Sequence, residues 1–344
     1  MKKSTFIFSL CALTTLGWGL KAYAQHNQMF LNPPPNTAFL SFANHLPAMD
    51  WSKPLETPAF KNYLRFYDLD FAQVKHYAGM IPDQHQRRIF IHALVPEGPS
   101  KGTLFALHGY FVHSALLKYV IQRGLDSGYT VIVADLPGHG LSTGDRASIE
   151  AFSDYADLVH EMTALITEHL PEPYFLLGHS TGGSGVWEYA LKHPDNPYKK
   201  IVLGAPLVRS YLWGLSTTGY HLGKNILPEV PRLLRPTTRE PEFLELVLRD
   251  PLQYPGTPVQ WVKALIEWND NQIETYPPSA QNMLIIQGTE DTVVEAEFNI
   301  PFLARKFPLA KVEWVPQCRH DLFWEIEPIR NQVLDSTFEF INAS

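Results

Sequence analysis

The sequence predicts an α/β fold: a mostly parallel sheet with helices on both faces and a helical insertion over one end. Three observations carry this. From residue 88 onward, short continuous apolar runs alternate with longer amphipathic segments, as in strands buried on both faces and joined by helices. Several runs stop at glycine-rich turns, such as His108-Gly109 and Pro137-Gly-His-Gly140. Between residues 207 and 272 the rhythm breaks, and prolines and aromatic residues replace the strand pattern.

The elements follow in order. Arg88–Val95 and Thr103–Leu107 read as strands. Tyr119–Ser127 reads as a helix stopped by Gly128, and Thr130–Ala134 as the next strand. Phe152–Leu170 is a long helix with Leu158, Met162, Leu165 and Ile166 on one face and Ser153-Asp154 as its start signal. Tyr174–Leu177 is a strand, Ser184–Leu191 a helix and Ile201–Leu203 a strand. Met283–Gln287 and Val312–Val315 complete the set. Within 207–272, Glu242–Arg249 and Val259–Trp268 read as helical pieces among seven prolines, from Pro228 to Pro258. A structureless connection of that length is unusual in a compact domain, so an insertion is preferred to ordinary crossover helices with long loops. Residues 36–80 mix helical and extended signals that do not resolve into elements, and Pro33-Pro34-Pro35 reads as an extended linker.

Residues 1–24 read as an export signal. Lys2 and Lys3 precede the apolar stretch Phe6–Leu20, and Ala22-Tyr-Ala24 has the small-x-small form of a cleavage site. The stretch is shorter than the roughly 20 residues of a spanning helix. The expected division is therefore signal 1–24, core 25–206, insertion 207–272 and core 273–344, with the mature protein periplasmic or secreted.

Composition narrows the function. The 344-residue chain carries 28 Lys+Arg against 35 Asp+Glu, a formal charge of −7. That is a poor surface for nucleic acid, which requires cations to displace counterions. Of the two cysteines, Cys11 lies in the signal and Cys318 remains, which excludes both an intramolecular disulfide in the mature chain and a cysteine-based zinc site. There is no Gly-x-Gly-x-x-Gly after a strand and no Gly-Lys-Ser/Thr loop, so nucleotide cofactors find no support.

The chemistry enters at Tyr174-Phe-Leu-Leu-Gly178-His-Ser180-Thr-Gly182-Gly183. Gly178-x-Ser180-x-Gly182 between a strand and a helix is the form of a nucleophile elbow. A strained turn there projects the Ser180 hydroxyl at a helix N-terminus, where free N–H groups favour developing negative charge. An acid and a histidine follow in the order such sites need. Asp291 lies three residues after Gly288, which closes a strand, and is preferred to its neighbour Glu290. His320 lies in the loop after the last strand and is preferred to His76, His85 and His92, which precede the motif-bearing strands. The N–H of Thr181 is the expected first oxyanion donor. The second comes from the loop after His108-Gly109, with Tyr110 preferred to its neighbours. Asp135-Leu-Pro-Gly138-His139-Gly140 reads as a structural turn, not as a source of catalytic groups.

Taken together, these residues resemble the α/β-hydrolase family, and within it the monoacylglycerol lipase and lysophospholipase group, also called serine aminopeptidase-like hydrolases. The matching pieces are His108-Gly-Tyr-Phe-Val-His113-Ser114, Asp135-Leu-Pro-Gly-His-Gly-Leu-Ser142, Gly178-His-Ser-Thr-Gly182, Gln287-Gly-Thr-Glu-Asp291 and His320-Asp321. The resemblance implies a helical lid, matching 207–272, and an ester substrate of the monoacyl lipid class cleaved without cofactor or metal. Tyr211, Leu212, Trp213, Leu215, Tyr220, Leu222, Ile226, Leu227, Leu233, Leu234, Trp261, Leu265 and Trp268 would then line an acyl pocket, touch a lipid surface, or pack the lid onto the core. Two rivals stand beside this expectation. One is an aminopeptidase or amidase with the same triad, using Glu229, Glu240, Glu242 or Glu245 to bind an amine. The other is a binding module on an inactive hydrolase scaffold.

Overall fold

The computed structural model describes Ala43 and residues 45–232 and 235–343. The export signal, the proline triplet, Leu233 and Leu234 lie outside the described residues. The elements run α1 (Pro58–Phe66), β1 (Val74–Pro82), β2 (Arg88–Pro96), β3 (Thr103–Leu107), α2 (Lys118–Asp126), β4 (Thr130–Ala134), α3 (Asp154–His169), β5 (Tyr174–His179), α4 (Ser180–Lys192) and β6 (Tyr198–Gly204). They continue with α5 (Trp213–Gly223), β7 (Glu229–Pro231), α6 (Pro241–Arg249), β8 (Gly256–Pro258), α7 (Val259–Asn271), β9 (Met283–Gly288), α8 (Ala296–Lys306), β10 (Lys311–Val315) and α9 (Glu327–Asn342).

Eight strands form one sheet in the order β1-β2-β4-β3-β5-β6-β9-β10. β1 pairs antiparallel with β2, and β2 antiparallel with β4, while every pairing from β4 to β10 is parallel. β3, β4 and β9 are buried throughout, as continuous apolar runs require when both faces are covered. Successive side chains point to opposite faces, so Leu104 and Ala106 enter one core while Phe105 and Leu107 enter the other. The first core is closed by α1, α2 and α9 through residues such as Phe60, Ile121 and Phe338. The second is closed by α3, α4, α7 and α8 through Tyr155, Trp187, Trp268 and Phe302.

Three readings change. The unplaced segment 36–80 contributes α1 and edge strand β1. β1 escaped notice because Lys75 and His76 interrupt its apolar run; His76 Nδ1 lies 2.9 Å from His92 Nε2 on β2. α1 did carry a local signal, since Pro58 opens the helix and Thr57 Oγ1 accepts from the Phe60 N–H at 3.3 Å. Ser153, read as the start of the long helix, has helical dihedrals and makes no side-chain capping bond. Tight backbone bonds from residues 154–156 to residues 151–153 begin that helix instead, and Asp154 in its first turn pairs with Arg87 at 3.1 Å. The helix expected from Ser184 starts at Ser180. Its glycines lower helix propensity, but close packing requires small residues there: a Cβ on Gly182 would lie 2.3 Å from the His108 carbonyl oxygen.

Between β6 and β9 the chain forms α5, the antiparallel pair β7–β8, α6 and α7. The hairpin was not expected. No residue of α5 is buried. α7 instead seats Trp261, Leu265 and Trp268 in the second core.

Candidate active site

The turn from β5 to α4 holds Ser180 at φ +52°, in the left-handed region that a non-glycine residue occupies only at a cost. Neighbouring structure supplies that cost. β5 is hydrogen-bonded on both sides, to β3 and β6, and α4 buries Val186, Trp187 and Ala190 behind the turn. The hydroxyl therefore projects at the C-terminal end of the sheet, where loops from separate strands converge.

The other two side chains arrive from β9 and β10. His320 Nε2 lies 3.0 Å from Ser180 Oγ, and His320 Nδ1 lies 2.8 Å from Asp291 Oδ2. The carboxylate accepts only, so Nδ1 carries the proton and Nε2 faces the hydroxyl. Asp291 is itself held: Oδ1 accepts from the N–H groups of Val293 (2.8 Å) and Val294 (3.1 Å), and Oδ2 accepts from Gln287 Nε2 (3.0 Å). Burial disfavours the Asp291 charge, but the His320 charge and these hydrogen bonds outweigh it and lower the pKa. Burial also opposes the His320 imidazolium, yet Asp291 outweighs that and raises the pKa. Glu290, the rival acid, turns away and accepts from Arg239 Nη2 at 2.6 Å.

The loop after β3 comes equally close. A Cβ on Gly109 would lie 3.0 Å from Ser180 Cβ, so glycine here lets the loop approach the serine without crowding it. His108 locks the loop. Its Nε2 accepts from the Leu136 N–H at 2.9 Å, which leaves Nδ1–H to donate to the Gly109 carbonyl at 2.7 Å. Burial pushes His108 down to about 3, so the ring stays neutral. Thr181 is the second residue of α4, where first-turn N–H groups lack partners within the helix. The two expected oxyanion donors thus flank Ser180 from separate elements. The Tyr110 ring stacks on Trp261 at 4.0 Å and its hydroxyl donates to the Ala147 carbonyl at 2.6 Å.

Two supporting residues were missed as such, although both lie inside recognised motifs. Gln287 holds the acid. His179 is pushed down to about 4 by burial; it donates Nε2–H to the His320 carbonyl at 3.0 Å and so ties the histidine loop to the elbow. Their signal was position alone. Asp135 is structural, as read: it accepts from the N–H groups of Ser114 and Leu141 at 2.8 and 2.7 Å. His76 and His92 sit together on β1 and β2, and His85 lies 3.3 Å from Asp154.

Deeper in the same region, His113 Nε2 lies 2.7 Å from Asp250 Oδ2, with both side chains fully buried. Tyr67 donates to Asp250 Oδ1 at 2.7 Å and Gln253 to Oδ2 at 3.1 Å. This pair joins the loop after β3, the segment after α1, and the stretch between α6 and β8.

The family described as "Serine aminopeptidase, S33" matches residues 98–327. A monoacylglycerol lipase of Mycolicibacterium smegmatis is 25% identical over 265 residues, 74% of this chain and 92% of that protein. Phospholipase YtpA of Bacillus subtilis is 25% identical over 198 residues, 55% and 75% of the two chains. Among solved structures, a soluble variant of the Saccharomyces cerevisiae monoglyceride lipase in complex with a substrate analog superposes with a TM-score of 0.64 at 18% identity, covering 74% of this chain and 92% of that one. The Paleococcus ferrophilus monoacylglycerol lipase superposes at 0.61 and 21% identity, covering 74% and 98%. The match spans both the elbow and the two loops that bring the acid and the histidine to it, and with the parallel sheet beneath them it identifies the chain as a member of the serine aminopeptidase S33 family of α/β-hydrolases.

Proposed function

We propose that the protein is an exported serine carboxylester hydrolase that cleaves monoacyl lipids through Ser180, His320 and Asp291. The observation that carries this reading is the continuous hydrogen-bonded chain from Ser180 Oγ through His320 to Asp291. Ser180 Oγ attacks the ester carbonyl as His320 Nε2 takes its proton. Asp291 holds the Nδ1–H tautomer and stabilises the imidazolium. The N–H groups of Thr181 and Tyr110 receive the oxyanion, each worth about 3 kcal/mol at the transition state. His320 returns the proton to the departing alcohol, leaving an acyl-Ser180 ester. Water then attacks with His320 again as base, and the carboxylic acid leaves as Ser180 recovers its proton.

The choice of a monoacyl lipid is supported by the named relatives and by the surface of the insertion. Leu215 is 69% exposed, and Leu222 and Ile226 are each 76% exposed on or just after α5. Such a set suits transient contact with a lipid surface. An aminopeptidase would need a free carboxylate for the substrate amine. Glu229 is engaged by the Tyr254 hydroxyl at 2.8 Å, Glu240 accepts from the first turn of α6, and Glu242 and Glu245 are exposed on α6.

The test is Ser180→Ala, which lowers kcat on p-nitrophenyl butyrate by about 10^6 while the protein stays folded. Near-wild-type turnover in that variant overturns the reading. Failure of folded wild-type protein to take a fluorophosphonate label favours the binding module instead. Preference for aminoacyl-naphthylamides over acyl esters favours the peptidase. A mature N-terminus at Gln25 after expression in a secreting host tests export.

A further inference from the structure

Arg232 follows β7 in the insertion and reaches down to the oxyanion loop. Its guanidinium lies over the Phe111 ring at 4.3 Å, and Phe111 directly follows Tyr110. Phe111 is at φ +65°, and its ring lies 4.1 Å from the Tyr110 ring. Arg232 Nη1 donates to Gln253 Oε1 at 2.7 Å, and the Arg232 backbone N–H donates to Pro255 at 2.8 Å. A guanidinium has five N–H donors. Among the described residues the guanidinium makes only the bond to Gln253, and no carboxylate lies within 4.0 Å of it. Arg239 of the same insertion behaves differently: it bonds Glu290 and lies 3.5 Å from Glu325. Arg232 is half-buried, and burial pushes its pKa down to about 10 even though Asp321, Tyr110 and Asp250 pull it back up. Asp321 follows His320, so the charge of the histidine loop acts on a guanidinium that lies over the oxyanion loop. A half-buried fork, positioned by Phe111 and Gln253 and with donors to spare, is the arrangement that recognises planar or tetrahedral oxyanions.

Building on the ester hydrolase reading above, we propose that Arg232 is a specificity-determining residue that receives an anionic group on the substrate, a phosphate on the alcohol part or a carboxylate on the acyl part. It makes no bond to the reacting atoms. Its work is to orient an ester whose charge lies a few bonds from the scissile carbonyl, and so to favour such esters over neutral ones of the same size.

The test uses two matched pairs on the full-length protein. Lauroylglycerol 3-phosphate against lauroylglycerol reads a phosphate on the alcohol side. Mono-p-nitrophenyl succinate against p-nitrophenyl butyrate reads a carboxylate on the acyl side. In at least one pair, wild type has the higher kcat/KM for the anionic member at low salt, and the advantage shrinks as ionic strength rises. Arg232→Gln lowers kcat/KM for that member by about tenfold or more, as loss of a charge-assisted bond requires. The neutral member changes by less than about twofold, and Arg232→Lys falls in between. Equal loss on both members of each pair, or a wild-type preference for the neutral ester in both, overturns the proposal. If Arg232→Gln does not fold, the wild-type ratios and their salt dependence decide alone. If wild type hydrolyses none of the four esters, the ester hydrolase reading fails and this assignment falls with it.

Discussion

At the scale of single residues, the site rests on orientation more than on side-chain identity. Asp291 and Glu290 are adjacent carboxylates of similar chemistry, yet one bonds His320 and the other Arg239. Asp291→Asn therefore lowers kcat by about 10^4, because an amide can force the wrong imidazole tautomer. Glu290→Gln stays within about twofold, measured in parallel on a soluble ester. The pH profile supplies an independent check. In the proposed mechanism His320 is the base, and its pKa is raised by Asp291. Wild-type kcat/KM therefore increases with pH through an apparent pKa above the ordinary histidine value of about 6.5. In Asp291→Asn that acid limb moves to lower pH, since the attraction that raised it is gone while burial, which lowers it, remains. An unmoved limb would place the titration on another group.

Secondary-structure elements meet at the His113–Asp250 pair, which fastens the insertion to the core. Burial works against both charges, but mutual attraction raises His113 and lowers Asp250. Removing one partner leaves a buried charge uncompensated, so Asp250→Ala costs about 3–5 kcal/mol in thermal or denaturant unfolding. The sign of the pH dependence follows from the two shifts. The His113 contribution is complete below its unfolded value of about 6.5 and is lost as pH rises through its raised folded value. The Asp250 contribution is complete above about 3.9 and is lost as pH falls through its lowered folded value. The stability gap between wild type and Asp250→Ala is thus widest between about pH 4 and 6.5 and narrows on either side. α5 is the opposite kind of element, since nothing in it is buried. Replacing Leu222 and Ile226 by Glu lowers hydrolysis of vesicle-borne monoacylglycerol at least about fivefold and leaves p-nitrophenyl butyrate turnover unchanged; equal effects on both would remove the lipid-surface role.

For the molecule as a whole, the family match at residues 98–327 omits α1, β1 and β2, yet the first core includes Phe60, Tyr63, Met80 and Phe90 from these elements. A chain beginning at Gly98 leaves β4 as an open edge and strips that core, so it runs as aggregate in size-exclusion chromatography; a stable monomer would show the segment to be dispensable. The core strands were legible because burial on both faces demands continuous apolar runs, a property each run carries by itself. β1 was not, because its polar His76 finds its Nδ1 partner in His92, sixteen positions away. The start of α4 was hidden for a related reason: packing against the β3 loop, not helix propensity, sets it. Ser180, Asp291 and His320 were nameable from motif and chain order, whereas the roles of His179, Asp250 and Arg232 depend on neighbours remote in the chain. By itself, then, the sequence determined the layered architecture and the chemical groups available at the strand ends. Only the tertiary structure decided which of two adjacent carboxylates meets the imidazole, and which buried charges join the insertion to the core. Periodicity and motif spacing are local quantities, but a hydrogen bond between residues more than a hundred positions apart exists only after the elements carrying them have packed.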